Sequence, residues 1–107
     1  MKQKVKKAAV LGAGVMGSTI AAHLANVGIP SFLLDIVPPE LTDVEKKKGL
    51  TFQSPEVRNR FAISGKKRVQ ELRPAAFYLK DDAGLLTIGN FEDHLSWVSQ
   101  ADWIIEV

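Results

Sequence analysis

Three glycines within six residues constrain this chain more than any other feature. Positions 8–17 read AAVLGAGVMG, an apolar run that passes into Gly12-x-Gly14-x-x-Gly17. Glycines at these intervals after a strand fit a tight turn into a helix, because each position forbids a side chain for its own reason. At Gly12 the turn needs a backbone conformation that a Cβ would strain. At Gly14 a bare backbone can approach a pyrophosphate, and at Gly17 the helix can lie close against the sheet. The free N–H groups of the helix start, at the positive end of its dipole, then form an anion site.

The spacing alone is weak evidence, since glycines scatter through loops; its surroundings give it weight. Ala8–Leu11 is apolar throughout, as a buried parallel strand is. A helix over 14–27 would place Met16, Ile20, Leu24 and Val27 on one stripe, and Gly28 with Pro30 supplies the stop. A second apolar strand at 31–36 contains Asp35, 18 residues beyond Gly17. A carboxylate there can accept both hydroxyls of an adenosine ribose and repel a 2′-phosphate. Ile36, Val37 and Pro38 offer no cation to hold such a phosphate. The pattern therefore favours NAD over NADP; the alternative is a glycine-rich turn with no ligand. His23, in the same helix, has no second histidine or acid at ligand spacing and reads as structural or surface.

At 107 residues, 46% of them hydrophobic, the chain is sized for one modest core. It has no cysteine, so disulfides and thiolate metal sites are excluded, and no metal is expected. No apolar run approaches the roughly 20 residues of a membrane span. The leader, with Lys2, Lys4, Lys6 and Lys7, resembles the start of a signal peptide, but the glycines interrupt the apolar run behind it almost at once. A solvated leader into a first strand is the better reading, and a cytoplasmic location with no membrane partner is expected.

The charge is +2 overall but unevenly placed. Besides the four leader lysines, all ten remaining cations fall between 46 and 80, and the segments 8–45 and 81–107 hold none. A cation-free glycine segment is expected where backbone amides handle the phosphates. The basic middle reads either as a solvated helix face or as a surface for a polyanionic partner.

Residues 36–84 exceed what a minimal dinucleotide-binding unit needs. Pro38-Pro39 breaks the chain, and Thr42-x-x-Glu45 reads as a capping box with Lys46, Lys47 and Lys48 at the helix end. Ser54-Pro55 reads as an N-cap with proline at the first helical position. The helix behind it would carry Val57, Phe61, Val69 and Leu72 on one side, with Pro74 as its stop. Arg58, Arg60, Lys66, Lys67 and Arg68 form its polar side. Gly65 falls on the apolar stripe and marks either close packing or a weak point. The whole segment reads as a helical excursion standing out from the sheet.

The sheet pattern then resumes with a third strand at 85–88. Asn90-x-x-Asp93 would cap a helix containing Phe91, Leu95 and Val98, and Trp103, Ile104 and Ile105 begin a fourth strand. The fold expected is α/β, a Rossmann-type doubly wound parallel sheet. It is incomplete at about four strands, where such domains have about six. The chain accordingly reads as a fragment, with an unpaired strand edge that invites dimerisation.

The stretch GAGVMGSTIAAHLANVGIPSFLLD is similar to the opening of the 3-hydroxyacyl-CoA dehydrogenases, NAD-dependent enzymes of fatty-acid β-oxidation. The likeness runs through the excursion to ADWIIEV, which resembles the fourth strand of that family's cofactor domain. Lys46-Lys47-Lys48-Gly49-Leu50 and Arg73-Pro74-Ala75 look like the long bacterial type, often joined to an enoyl-CoA hydratase module. The resemblance implies that Gly12, Gly14, Val15, Met16, Gly17 and Asp35 bind NAD. It also implies that the excursion, through Lys66 and Lys67, contacts the phosphates of an acyl-CoA substrate. The family's catalytic histidine and its orienting glutamate would lie beyond residue 107, along with the C-terminal domain. His23 and His94 do not match that histidine, so no catalytic residue is expected in this chain.

Two other classes remain open from the sequence. Another Rossmann oxidoreductase of the β-hydroxyacid type shares Gly-x-Met-Gly but usually has a cation after the second strand and no long basic excursion. A non-enzymatic nucleotide-binding module would use the basic middle. There, Phe52, Phe61, Phe77 and Tyr78 are the only aromatics and form no evident stacking platform, so nucleic acid is not expected as a partner.

Overall fold

The computed structural model describes residues 6–71 and 80–107. Four parallel strands, β1 (Ala8–Leu11), β2 (Ser31–Asp35), β3 (Leu86–Asn90) and β4 (Trp103–Glu106), form one sheet in the order β3-β2-β1-β4. Ala8 pairs with Ser31 on one side and Trp103 on the other. The chain thus builds outward through β2 to β3, then crosses back to the far side of β1 as β4. A doubly wound sheet has this reversal, and its ligand crevice opens at the carboxyl ends of the strands beside it. The Rossmann-type parallel sheet read from the sequence is present. β2 ends one residue early, on Asp35, and β3 runs to Asn90 rather than stopping at residue 88.

One face of the sheet, with Ala8, Val10, Leu33 and Leu86, is covered by α1 (Val15–Asn26) and α4 (Arg60–Gln70). The expected stripe on α1 holds in part: Leu24 is buried and Ile20 packs against the core, but Met16 is 67% exposed and Val27 71%. The buried residues are Gly17, Ser18, Ala21, Ala22, Leu24 and Ala25. A hydrophobic stripe follows the large side chains, but this helix lies so close to its neighbours that small ones fill the contact.

Between β2 and β3 stand α2 (Asp43–Lys47), α3 (Pro55–Arg58) and α4. The capping box forms as expected, with the Glu45 N–H donating to Thr42 Oγ1 at 3.1 Å and the Thr42 N–H to Glu45 Oε1 at 2.8 Å. The Thr42 amide, with the Arg60 guanidinium beside it, holds the Glu45 carboxyl below its ordinary pKa. Pro55 opens α3, but the Ser54 side chain does not cap it; its Oγ accepts from the Thr51 N–H instead. The single helix expected here breaks at Asn59, whose Oδ1 accepts from Asn90 Nδ2 at 2.7 Å and so ties the junction to the end of β3. Val57, Ala62, Gly65 and Val69 are buried, whereas Phe61 is only partly so and lies beneath the Arg60 guanidinium. Leu72, Pro74, Phe77, Tyr78 and residues 1–5 of the basic leader lie outside the described residues.

The helix expected after β3 is a second correction. Residues 91–94 form a turn, and only a 3₁₀ segment, Leu95–Gln100, follows. Asn90 Oδ1 accepts from the Glu92 and Asp93 N–H groups at 3.0 and 2.7 Å, so Asn90 closes the turn and caps no α-helix. The Asn90 N–H donates to His94 Nδ1, and the His94 ring lies against Trp97, which stacks on Phe32 at 4.9 Å. This segment covers the second face of the sheet over Ala9, Phe32 and Leu34.

Arg58 reaches from the excursion to the same turn, donating to Asp93 through Nε at 2.6 Å and Nη2 at 3.0 Å. These bonds, with one from Asn90, favour the ionised carboxyl and lower the Asp93 pKa from 3.8 to about 2. The depressed value adds stability that is fully present above pH 3.8 and is lost as the pH falls through about 2. Asp93→Asn is therefore expected to flatten the decline in stability across that acid window while leaving the pH 5–8 profile parallel to the parent's. Urea unfolding at a series of pH values measures both slopes, and an unchanged acid slope contradicts the assignment.

Candidate functional site

The carboxyl ends of the four strands bound a groove of ≈ 550 Å³, lined by Leu11, Gly12, Asp35, Phe91, Glu106 and Val107. Each strand contributes its last residue or the one just beyond it. Gly12 leaves β1 with φ +118°, a conformation that side chains rarely adopt, and its N–H donates to the Leu34 carbonyl at 2.8 Å. The turn thus stays bonded to β2 as it bends toward α1.

Gly17 shows why the third glycine is needed. A Cβ built there would lie 1.8 Å from the Gly12 carbonyl oxygen, an approach no side chain survives. Gly14 is the opposite case. A Cβ there would meet nothing within 4 Å, so the position is open on the side a ligand would use. Gly14 is the N-cap of α1 and has no side-chain cap, and the first turn holds no acid. Gly14, Val15 and Met16 are exposed, and the first amides of the helix have no partner within it. The start of α1 is therefore free to bind an anion.

Asp35 ends β2 within this groove. Its Oδ2 accepts from the Ala13 N–H at 2.8 Å and its Oδ1 from the Ile36 N–H at 2.7 Å. One amide per oxygen fixes the carboxylate and leaves acceptor capacity on both atoms, enough for a vicinal diol. Of the residues assigned from the sequence, the structure brings Gly12 and Asp35 together in the groove. It opens Gly14, Val15 and Met16 at the helix start and buries Gly17 beneath them.

The two lysines assigned to the substrate part company. Lys67 is exposed, while Lys66 turns inward to donate to the Leu86 carbonyl at 2.8 Å, and burial lowers its pKa. Arg58 and Arg60 are engaged within the protein, the latter with Glu45 and the Glu40 carbonyl. His23 is exposed in the last turn of α1, and His94 Nδ1 is held by a backbone amide. Sequence reasoning missed Phe91, Glu106 and Val107 as groove walls. The rule that such crevices lie at strand ends would have pointed to all three.

A family model described as 3-hydroxyacyl-CoA dehydrogenase, NAD binding domain, matches residues 7–107. The chain belongs to this family. It is 52% identical over all 107 residues to a probable 3-hydroxyacyl-CoA dehydrogenase of Bacillus subtilis, of which it spans 14%. It is 48% identical over 103 residues, 96% of its length, to a protein of the same description from Deinococcus radiodurans, of which it spans 26%. A putative fatty acid oxidation complex trifunctional enzyme of Rickettsia felis is 32% identical over the whole chain, which spans 13% of it. The cofactor of this family's domain is NAD, and the residues fit it: an open Gly14, an uncapped helix start and a fixed carboxylate with spare acceptor capacity.

Two substitutions test the construction of the site. Gly17→Ala forces α1 away from the Gly12 carbonyl and is expected to cost about 1–3 kcal/mol or more, read by thermal or urea unfolding. Asp35→Ala is expected to leave the fold intact and to weaken NADH binding about tenfold or more, as losing hydrogen bonds to a charged group does. Equal NADH affinity in parent and mutant would remove Asp35 from the site.

Proposed function

We propose that this chain is the cofactor-binding part of an NAD-dependent dehydrogenase that oxidises 3-hydroxyacyl-CoA to 3-oxoacyl-CoA in fatty-acid β-oxidation. The observation that carries the reading is the Asp35 carboxylate, fixed by the Ala13 amide at the crevice of a doubly wound sheet, with Gly14 open beside it. NAD, when bound, supplies the acceptor for the hydride that leaves C3 of the substrate. Asp35 would hold the adenosine ribose, and the backbone amides of Gly14, Val15 and Met16 would hold the pyrophosphate. Gly12 and Gly17 would shape the turn that presents them. Because Asp35 repels a 2′-phosphate, the site would select NAD over NADP.

Removal of the hydroxyl proton needs a base that residues 1–107 do not supply in this reading. His23 stands exposed in the last turn of α1, and His94 is occupied by the Asn90 amide. The acyl-CoA would meet the excursion through Lys67, with Lys66 joining only if its ammonium leaves the Leu86 carbonyl. The reading includes a homodimer, supported by the outer edge of β4, where Trp103 and Ile104 are about half exposed. It also includes a cytoplasmic location, supported by the use of the apolar run behind the leader for β1 and the glycine turn.

Calorimetric titration with NADH, NADPH and coenzyme A tests this reading. NADH is expected to bind well above NADPH, and the preference is expected to vanish in Asp35→Ala. Coenzyme A binding is expected to weaken with salt, and Lys67→Ala to reduce it by up to about fivefold, the scale of an exposed charge pair. The chain alone is expected not to reduce acetoacetyl-CoA with NADH. Turnover that survives both His23→Ala and His94→Ala would contradict that expectation.

A further inference from the structure

Ala13, the residue between the first two glycines, is held from three directions. Its N–H donates to Asp35 Oδ2 at 2.8 Å, and its carbonyl accepts from Ser18 Oγ at 2.8 Å. On its remaining side it meets Gly65 of α4 with no space to spare. A Cβ built at Gly65 would lie 2.4 Å from the Ala13 carbonyl oxygen, 2.5 Å from Ser18 Oγ and 3.0 Å from the Ala13 Cβ. Ala13 is buried, and Ser18 is fully so. The glycine turn therefore rests directly on the backbone of the excursion helix, on the side away from the groove.

This contact joins two parts of the molecule that the sequence keeps apart. The next residue, Lys66, ties α4 to β3 through its ammonium on the Leu86 carbonyl. A helix tied to β3 and pressed against Ala13 limits where the Ala13 amide can sit, and that amide is one of the two that hold the Asp35 carboxylate. The close approach resolves the role of Gly65 in favour of packing. A methyl group at this position cannot be absorbed by a flexible side chain, because the nearest atom is a backbone oxygen.

We propose that Gly65 and Ser18 are positioning residues of the cofactor site, acting through Ala13 to aim the Asp35 carboxylate. The helical excursion is on this view a structural wall of the cofactor site as well as a candidate substrate surface. The part of the inference that concerns nucleotide selection rests on the NAD-binding function proposed above; the part that concerns Ala13 does not.

Amide hydrogen exchange on the ligand-free chain, followed residue by residue, tests the first link. In Gly65→Ala the protection of the Ala13 amide is expected to fall about tenfold or more relative to the amides of β1 and β2, the scale of one charge-assisted hydrogen bond. Ser18→Ala, which creates no clash, is expected to lower Ala13 protection in the same selective way. It gives the reading if Gly65→Ala does not fold. Unchanged Ala13 protection in a folded Gly65→Ala, or in Ser18→Ala when Gly65→Ala is unfolded, overturns the proposal. The ratio of NADH to NADPH affinity is then measured on the same variants. A fall in that ratio is the expected result whatever the loss of stability, since a merely structural weakening would lower both affinities together. A constant ratio despite lost Ala13 protection overturns the aiming of Asp35. A parent chain that binds neither nucleotide overturns the cofactor function and leaves the exchange result to decide the Ala13 link.

Discussion

Everything in this fold follows from how closely α1 approaches the first strand. The Gly12 carbonyl lies where the Cβ of residue 17 would otherwise be, so the helix start touches the turn that precedes it. At that distance mostly small residues fit beneath the helix, and Gly17, Ser18, Ala21, Ala22 and Ala25 supply them, with Leu24 the one large side chain buried among them. Van der Waals attraction summed over such a gapless contact substitutes for the larger apolar area that leucines would bury. The same closeness leaves room for α4 beside α1, and it directs the helix amides toward the strand ends. Packing and binding geometry are here one constraint.

Among the described residues, polar contacts anchor the excursion through Lys66 to the β3 backbone, Arg58 to Asp93, and Asn59 to Asn90. Two of these lead to the turn after β3, whose Phe91 forms a wall of the groove. Cations that looked like a continuous basic surface are thus divided. Arg58 is paired with Asp93 at the surface and Arg60 with the buried Glu45, while Lys67 is exposed. An ion pair of this kind matters less for its energy, which solvent screens, than for fixing which parts of the chain move together.

Much of this was legible in the sequence, and the failures have physical causes. Gly12 and Gly17 announced themselves because each meets a backbone conformation or approach that a Cβ would prevent, and Asp35 because it is the acid in the strand that follows them. The capping box at Thr42 was legible because it is a local bond between residues three apart. The buried face of α1 was misread because periodicity weighs large side chains, whereas here Met16 and Val27 face outward. The helix expected from Asn90-x-x-Asp93 failed for a different reason. Asn90 spends its side chain on the turn, including Asp93, and on Asn59, a partner that only tertiary structure supplies. Gly65 was legible as an anomaly on an apolar stripe, but its neighbour Ala13 lies 52 positions away and only the fold brings them together.

The position of β1 at the centre of the sheet has a consequence for assembly order. Its partner on one side, Ser31 opposite Ala8, is 23 positions distant, while Trp103 on the other side is 95. Each doubling of a loop adds about 0.6 kcal/mol of closure entropy, and these two pairings differ by about two doublings. The groove has one bank on each: Asp35 at the end of β2, Glu106 and Val107 at the end of β4. The β1-α1-β2 unit carries both the turn and the carboxylate, but the groove also needs β4, the partner of β1 most distant in sequence. Topology thus makes the complete cofactor crevice the costlier closure, separate from the one that brings the glycine turn and Asp35 together.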